Sequence, residues 1–304
     1  MEKCYDVILP TDPKALREYV EHCDRDFEAA MDDVVEEVGK IKDLRMIGLT
    51  GPTCSGKTTA AKKLTACLEA HGHRVHVISI DDFYYDSEYL RSRPRADTDA
   101  AIDYDSEETI DVKLLSQTAE SLLSGLPTKM PRFNFRTGQR EDGLTVDPEE
   151  DDVFLFEGIQ VLYPSVDKIL QGESYRSIYI SPEYAIRIDG KLFEPNEIRL
   201  MRRLVRDQLH RGSNAEFTYY LWESVRRNEE QSIFPNLSAC HYFINSTMPY
   251  EIGMLKPFLL EMLPTVSKEN KHRKDAEALL EKIDTIATVP HEYITPTSLY
   301  KEFI

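Results

Sequence analysis

Apolar residues fall into two alternating patterns along this chain. Short β-favouring runs occupy 46–50, 74–80, 152–158, 177–181 and 241–245. Between them lie stretches where apolar positions recur every three or four residues, the period of a helix buried on one face. The spacing predicts a helix over 13–42 from Leu16, Val20, Phe27, Ala30, Met31, Val34 and Val38, with Asp32, Asp33, Glu36 and Glu37 on its polar side. A second helix follows the 46–50 run, with Ala60, Leu64, Cys67 and Leu68 inward and Gly72 closing the turn after it. A third starts at Asp111 as N-cap, buries Leu115, Ala119 and Leu122 and ends at Gly125. Segments 130–140 and 143–146 read as an antiparallel hairpin, 197–211 as an arginine-dense helix, and 91–101 as a connection without a period. Such alternation predicts an α/β fold, a mostly parallel five-stranded sheet with helices on both faces. It divides into a helical appendage over 1–44, packed on the core or on another subunit, a main domain over 45–264, and a C-terminal helix and tail over 265–304. A homo-oligomer stays open on this pattern.

The first of these runs leads into a motif. Residues 51–58 read G-P-T-C-S-G-K-T, the pattern G-x-x-x-x-G-K-[ST], set between a predicted strand and a predicted helix. Gly51 and Gly56 let the backbone turn and aim its N–H groups inward, across Pro52, Thr53, Cys54 and Ser55, at phosphate oxygens. The positive end of the following helix acts on the same spot, where Thr59 stands in the first turn. Lys57 supplies a charge for the β- and γ-phosphates, and the Thr58 hydroxyl can ligate Mg²⁺. The expectation is a P-loop NTPase fold with ATP and Mg²⁺ as cofactors.

Charge narrows the partners. Asp and Glu outnumber Lys and Arg by 54 to 37 in 304 residues, for a net charge of −17. Such a surface repels nucleic acid and anionic membrane, so neither is expected as a partner. Five scattered cysteines without a C-x-x-C pair fit reduced thiols rather than a disulfide frame or zinc site. With no secretory leader and no span-length apolar run, the expected location is the cytoplasm.

Acids end two of the strands: Asp81-Asp82 follows 74–80, and Glu157 closes 152–156. Ligands in open α/β sheets sit at the carboxyl ends of strands, which puts these acids beside the glycine loop. Arg199, Arg203 and Arg206 fall at i, i+4 and i+7 on one helix face, with Arg211 after them. Like charges at that spacing cost stability in an isolated helix, and a polyanion lying against them would offset the cost. A solvated basic face is the plain alternative. A phosphate cradle, metal-shell carboxylates, a base and cations are the parts that phosphoryl transfer needs.

The order of these motifs resembles the uridine kinase and phosphoribulokinase family of P-loop kinases. The residues that carry it are 51–58, Ser79-Ile80-Asp81-Asp82-Phe83-Tyr84, Asp103-Tyr104-Asp105 through Asp111, Pro131-Arg132-Phe133-Asn134-Phe135, Phe156-Glu157-Gly158, and 202–207 with Arg211-Gly212. Asn245, Tyr250 and Glu251 add to it, and the tail 294–304 is similar to the end of a bacterial uridine-kinase-like subgroup. The resemblance implies that Asp81 activates the acceptor hydroxyl near Mg²⁺ while Glu157 holds the metal's water shell. It also implies that Asp105 bonds ribose hydroxyls and that Tyr84 and Phe133 line the acceptor pocket beneath the hairpin. Arg203, Arg206 and Arg211 would belong to a helical lid over the phosphates, with Arg203 reaching the acceptor. Asp82 takes a variable position and is read as structural. Where pyrimidine kinases carry a base-reading tyrosine and histidine, this chain has Phe133 and Gly138, so discrimination among bases is expected to be relaxed or redirected. If the hairpin packs as in that family, Gly138→His is expected to raise selectivity for uridine or cytidine.

These features imply an ATP-dependent kinase acting on a hydroxyl of a small metabolite, foremost the 5′-hydroxyl of a nucleoside. A sugar phosphate is the alternative acceptor. A nucleotide-binding regulatory protein without kinase activity is the alternative class. Asn270-Lys271-His272-Arg273 fails the guanine-reading N-K-x-D pattern, and Asp81 and the arginines are retained.

Overall fold

A computed structural model of the chain describes residues 3–93, 102, 104, 106–172 and 174–304. Its elements in chain order are β1 (Cys4–Val7), α1 (Pro13–Gly39), β2 (Met46–Thr50), α2 (Lys57–Ala70), β3 (Val75–Ser79), α3 (Ser87–Ser92) and α4 (Val112–Leu123). The hairpin β4 (Thr128–Asn134) and β5 (Gln139–Val146) precedes β6 (Val153–Glu157), α5 (Pro164–Leu170), β7 (Tyr175–Ser181), β8 (Ala185–Ile188) and β9 (Lys191–Phe193). Then come α6 (Pro195–Arg211), α7 (Ala215–Asn228), β10 (Tyr242–Asn245), α8 (Glu251–Met262) and α9 (Arg273–Asp284).

The five predicted strands form one parallel sheet in the order β10-β7-β2-β6-β3. β2 lies at the centre and is buried at every position, which fixes the glycine loop after it in the middle of the sheet. The 74–80 run reads as buried, but β3 is an edge strand and Val77 is 51% exposed. Apolar content reports a strand; which edge it takes depends on pairing with β6.

Two features escaped the sequence pattern. Segment 1–44 carries a strand as well as its helix: β1 pairs in parallel with β8, whose other edge pairs with β9. α7 lies between α6 and β10, started by Asn214, whose Oδ1 accepts from the Phe217 N–H at 2.9 Å. α1 in turn holds the C-terminal tail. Its fully buried Asp24 accepts hydrogen bonds from the Tyr250 hydroxyl (2.5 Å), the Ser298 hydroxyl (3.0 Å) and the Thr295 N–H (2.8 Å). Leu299, Tyr300 and Phe303 of that tail are buried in the main core. Among the described residues no helix is long and apolar enough to cross a membrane.

Candidate active site

The carboxyl ends of β2, β3 and β6 open on a cavity of about 630 Å³. Thr53, Cys54, Lys57 and Thr58 of the glycine loop line it, with Asp81, Tyr84, Glu157, Arg203, Arg206 and Arg211 from elsewhere in the chain. Sequence reasoning brought these groups together, and the fold places them on one cavity. Gly51, Pro52, Ser55, Gly56 and Thr59 complete the loop and first helical turn behind them. Gly56 takes φ +100° as α2 begins, and a Cβ there would lie 2.2 Å from Leu299 Cδ1. Only glycine meets both the dihedral and the close approach of the tail.

Several atoms in the cradle fit an anion. Ser55 Oγ is buried without a hydrogen-bond partner. Lys57 Nζ folds back on the loop, donating to the carbonyls of Gly51 (2.9 Å) and Pro52 (3.1 Å). The Thr59 N–H and hydroxyl both donate to one carboxylate oxygen of Glu302, each at 3.3 Å. Glu302 lines the cavity too, so the C-terminal tail itself sets a negative group on the first turn of α2. Burial pushes the Lys57 ammonium below its ordinary pKa, opposed by Glu157 and Glu302. Burial pushes the Glu157 carboxyl up against the pull of Lys57, while the Ser79 hydroxyl donates to its Oε1 at 2.9 Å.

The metal question turns on donors. Thr58, Asp81 and Glu157 all face the cavity with oxygen, the ligand type that Mg²⁺ prefers. Among the described residues no group of three or more His, Cys, Asp or Glu forms an all-protein cage. Mg²⁺ in phosphoryl-transfer sites uses one or two carboxylates with waters and substrate phosphates, so the residues present fit it.

α6 divides its arginines between two tasks. Arg199 pairs bidentately with Glu229 (2.6 and 2.7 Å), and Arg202 with Glu251 (2.7 and 3.0 Å), all four side chains buried. Arg202 also donates to the Cys54 carbonyl at 3.2 Å, and Arg199 to that of Thr53 at 3.4 Å, so both brace the glycine loop. Arg203 and Arg206 face the cavity, donating to opposite oxygens of Asp207 at 3.2 and 2.9 Å; Arg211 stands 3.6 Å from the same carboxylate. The chain's own acids therefore offset much of the like-charge cost expected to need a polyanion, and Arg199 pairs with Glu229 instead of lining the cavity. Burial, then neighbouring Arg206, lowers the Arg211 pKa, with Asp207 opposing.

Aromatic rings wall another part of the cavity: Tyr84, Tyr104, Phe135 and Tyr163, with Ile159, Val225 and Ile233. Tyr84, Tyr104 and Phe135 form a mutual edge-to-face cluster with centroids 5.1 to 6.1 Å apart. Phe133, expected in the lining, is 5% exposed and packs behind Tyr84 and Phe135 at 5.4 and 5.1 Å. Its N–H donates to Asp82 Oδ1 at 2.9 Å, which locks the hairpin to the turn carrying Asp81 and gives Asp82 its structural role. Asp103 and Asp105 lie outside the described residues.

Gly138 corrects a second expectation. It sits in the hairpin turn at φ +68°, and a Cβ there would lie 2.1 Å from Ser87 Oγ, itself hydrogen-bonded to Tyr104 at 2.6 Å. A histidine at 138 would be strained, and Ser87 would have to shift to admit its Cβ. Phe135, Tyr163 and Glu302 were missed by sequence reasoning. Phe135 stands two residues beyond Phe133 in the quoted motif, whereas nothing local marks Glu302.

A glycine-loop cradle at the centre of a parallel sheet, with strand-end acids and convergent arginines, defines a P-loop kinase. The model of the phosphoribulokinase / uridine kinase family matches residues 46–252, and the chain belongs to that family. A uridine kinase of Staphylococcus aureus (strain JH9) is 28% identical over 187 residues, 62% of this chain and 80% of that protein. Among solved structures, the YGR205w protein shares the fold with TM-score 0.51 and 15% identity over 69% of this chain and 89% of that one. A D-glycerate 3-kinase from Cryptococcus neoformans aligns with TM-score 0.45 and 15% identity over 69% and 87% of the two chains.

Proposed function

We propose that this kinase transfers the terminal phosphoryl group of ATP to a hydroxyl of a small neutral metabolite, a nucleoside 5′-hydroxyl fitting best. The carrying observation is the split of the cavity lining: Tyr84, Tyr104 and Phe135 cluster together, while Arg203, Arg206 and Arg211 gather on Asp207. A flat, uncharged ring packs on such aromatic edges. A second phosphate on the acceptor would call for a cation within the aromatic part, and the lining arginines are tied to Asp207 instead.

Asp81, in the turn after β3, accepts the proton of the attacking hydroxyl, and Asp105 holds ribose hydroxyls as the family resemblance implies. Lys57, the loop N–H groups and Thr59 orient the donor's phosphates. Arg203, Arg206 and Arg211 place positive charge where the transferring group becomes most negative. Thr58, Asp81 and Glu157 would hold Mg²⁺, which when bound neutralises charge across the β- and γ-phosphates.

The test is ADP release by purified protein with ATP and Mg²⁺ across uridine, cytidine, purine nucleosides and phosphorylated sugars. A nucleoside should give the highest kcat/KM. Turnover confined to phosphorylated sugars would overturn the neutral-acceptor reading. ATP binding with no acceptor-dependent ADP release would favour a regulatory nucleotide-binding role.

A further inference from the structure

Gln160 is wholly buried behind the cavity-lining Asp81 and Tyr84, and none of the motifs includes it. It stands in a short 3₁₀ turn, Ile159–Leu162, one residue after β6; Asp81 stands in the turn Ile80–Phe83, directly after β3. β3 and β6 are hydrogen-bonded neighbours with Ser79 opposite Glu157, so the two turns leave the sheet side by side. Gln160 Nε2 lies 2.7 Å from Asp81 Oδ1 and 2.6 Å from the Tyr84 hydroxyl. A carboxylate only accepts, so the amide nitrogen must face it, and each of its two hydrogens has one acceptor.

The rest of the side chain gains nothing from this placement. Gln160 Oε1 is buried and has no hydrogen-bond partner. A Cβ on Gly158 would lie 2.4 Å from that same oxygen, so the glycine backbone makes room for the amide. A buried amide satisfied only on the side facing the acid and the cavity tyrosine is costly for stability alone.

We infer that Gln160 is a positioning residue: it clamps one oxygen of Asp81 and ties it to Tyr84, leaving the other oxygen to meet the acceptor hydroxyl. This rests on Asp81 being the base, as proposed above. Misplacing a reacting group by about 1 Å can cost about 10²-fold in rate. Gln160→Met keeps the volume and removes the donor. It should lower kcat with the acceptor about 10- to 100-fold, while the Kd for ATP and the melting temperature stay near the original values. In an Asp81→Asn background the same change should cost less than about two-fold, because a residue that acts through Asp81 has nothing left to position. Gln160→Leu, a second apolar replacement of similar size, likewise removes the donor and should be similarly slow, which guards against a folding failure of the methionine variant.

Full kcat in Gln160→Met or Gln160→Leu overturns the inference. An equal loss in both backgrounds also overturns it, since the effect would then bypass Asp81. Near-normal turnover by Asp81→Asn alone would instead bring down the reading of Asp81 as base, so the two failures are separable.

Discussion

Asp24 is the perturbation whose consequences can be worked out most directly. Its Oδ1 accepts from Tyr250 and Ser298, and its Oδ2 from the Thr295 N–H (2.8 Å) and hydroxyl (3.0 Å). Asp24→Asn keeps the shape but turns one oxygen into a donor. Placed at Oδ2, the new amide faces a backbone N–H that cannot rotate away, while the Thr295 hydroxyl can turn. Placed at Oδ1, it faces two hydroxyls, one of them from Tyr250, which is itself buried. Either way one or two buried donors lose their acceptor at about 1–3 kcal/mol each, and the remaining bonds lose charge assistance. The expected loss is about 2–4 kcal/mol. It should appear as a lower urea midpoint at unchanged m-value, with faster amide exchange in 294–304. A loss under about 0.5 kcal/mol would refute the reasoning, because four short bonds to one buried carboxylate would then hold nothing.

Alanine at Arg203 or Arg206 should lower kcat by about 10³-fold or more, the range for cations at a transferring phosphoryl group, with a smaller change in ATP Kd by titration calorimetry; full kcat in both would return α6 to a structural role. Burial pushes the Asp152 carboxyl up, but Arg74, the Glu149 N–H and His76 outweigh it and hold it at about 2, below the ordinary 3.8. Its stabilisation is therefore complete above about pH 4 and lost as pH falls towards 2, so Asp152→Asn should cost about 1–2 kcal/mol near pH 7, discounted for the half-exposed Arg74, and almost nothing near pH 2 in urea titrations. Gly138→His should destabilise the protein and lower activity without raising uridine or cytidine selectivity in kcat/KM, since its backbone strain of about 1–3 kcal/mol and its collision with Ser87 come before any contact with a base.

The parts of this molecule legible in the sequence are those fixed by local chemistry. The 51–58 loop needs glycines at set places, Asp111 caps α4 through the Leu114 N–H at 3.0 Å, and the apolar runs mark the sheet strands. What stayed hidden depends on partners far along the chain. β1 is four residues long and gains its strand identity only from β8, about 180 positions away. Phe133 and Phe135 are chemically alike, and the bond from the Phe133 N–H to Asp82 settles which ring turns into the core. Glu302 reaches Thr59 because Asp24, Tyr250 and the buried Tyr300 fasten the tail, and none of those contacts is local.

The arginine helix shows why composition alone misleads. In a chain with 17 more acids than bases, five arginines on one segment suggest a docking face for an external polyanion. Yet Arg199 and Arg202 have no access to solvent, and each is matched by a buried glutamate held in turn by a second group, Arg226 on Glu229 and Tyr300 on Glu251. Such pairs give little net stability compared with apolar packing, although losing one partner is expensive. Their use here is geometric, because they also donate to the Thr53 and Cys54 carbonyls and so brace the glycine loop. Arg203 and Arg206, on the next positions of the same rigid helix, are thereby set at a fixed distance from the cradle they face. Under the proposed function cradle and cations act on one phosphoryl group, so tying both to one helix would remove a degree of freedom that would otherwise have to be lost in the transition state.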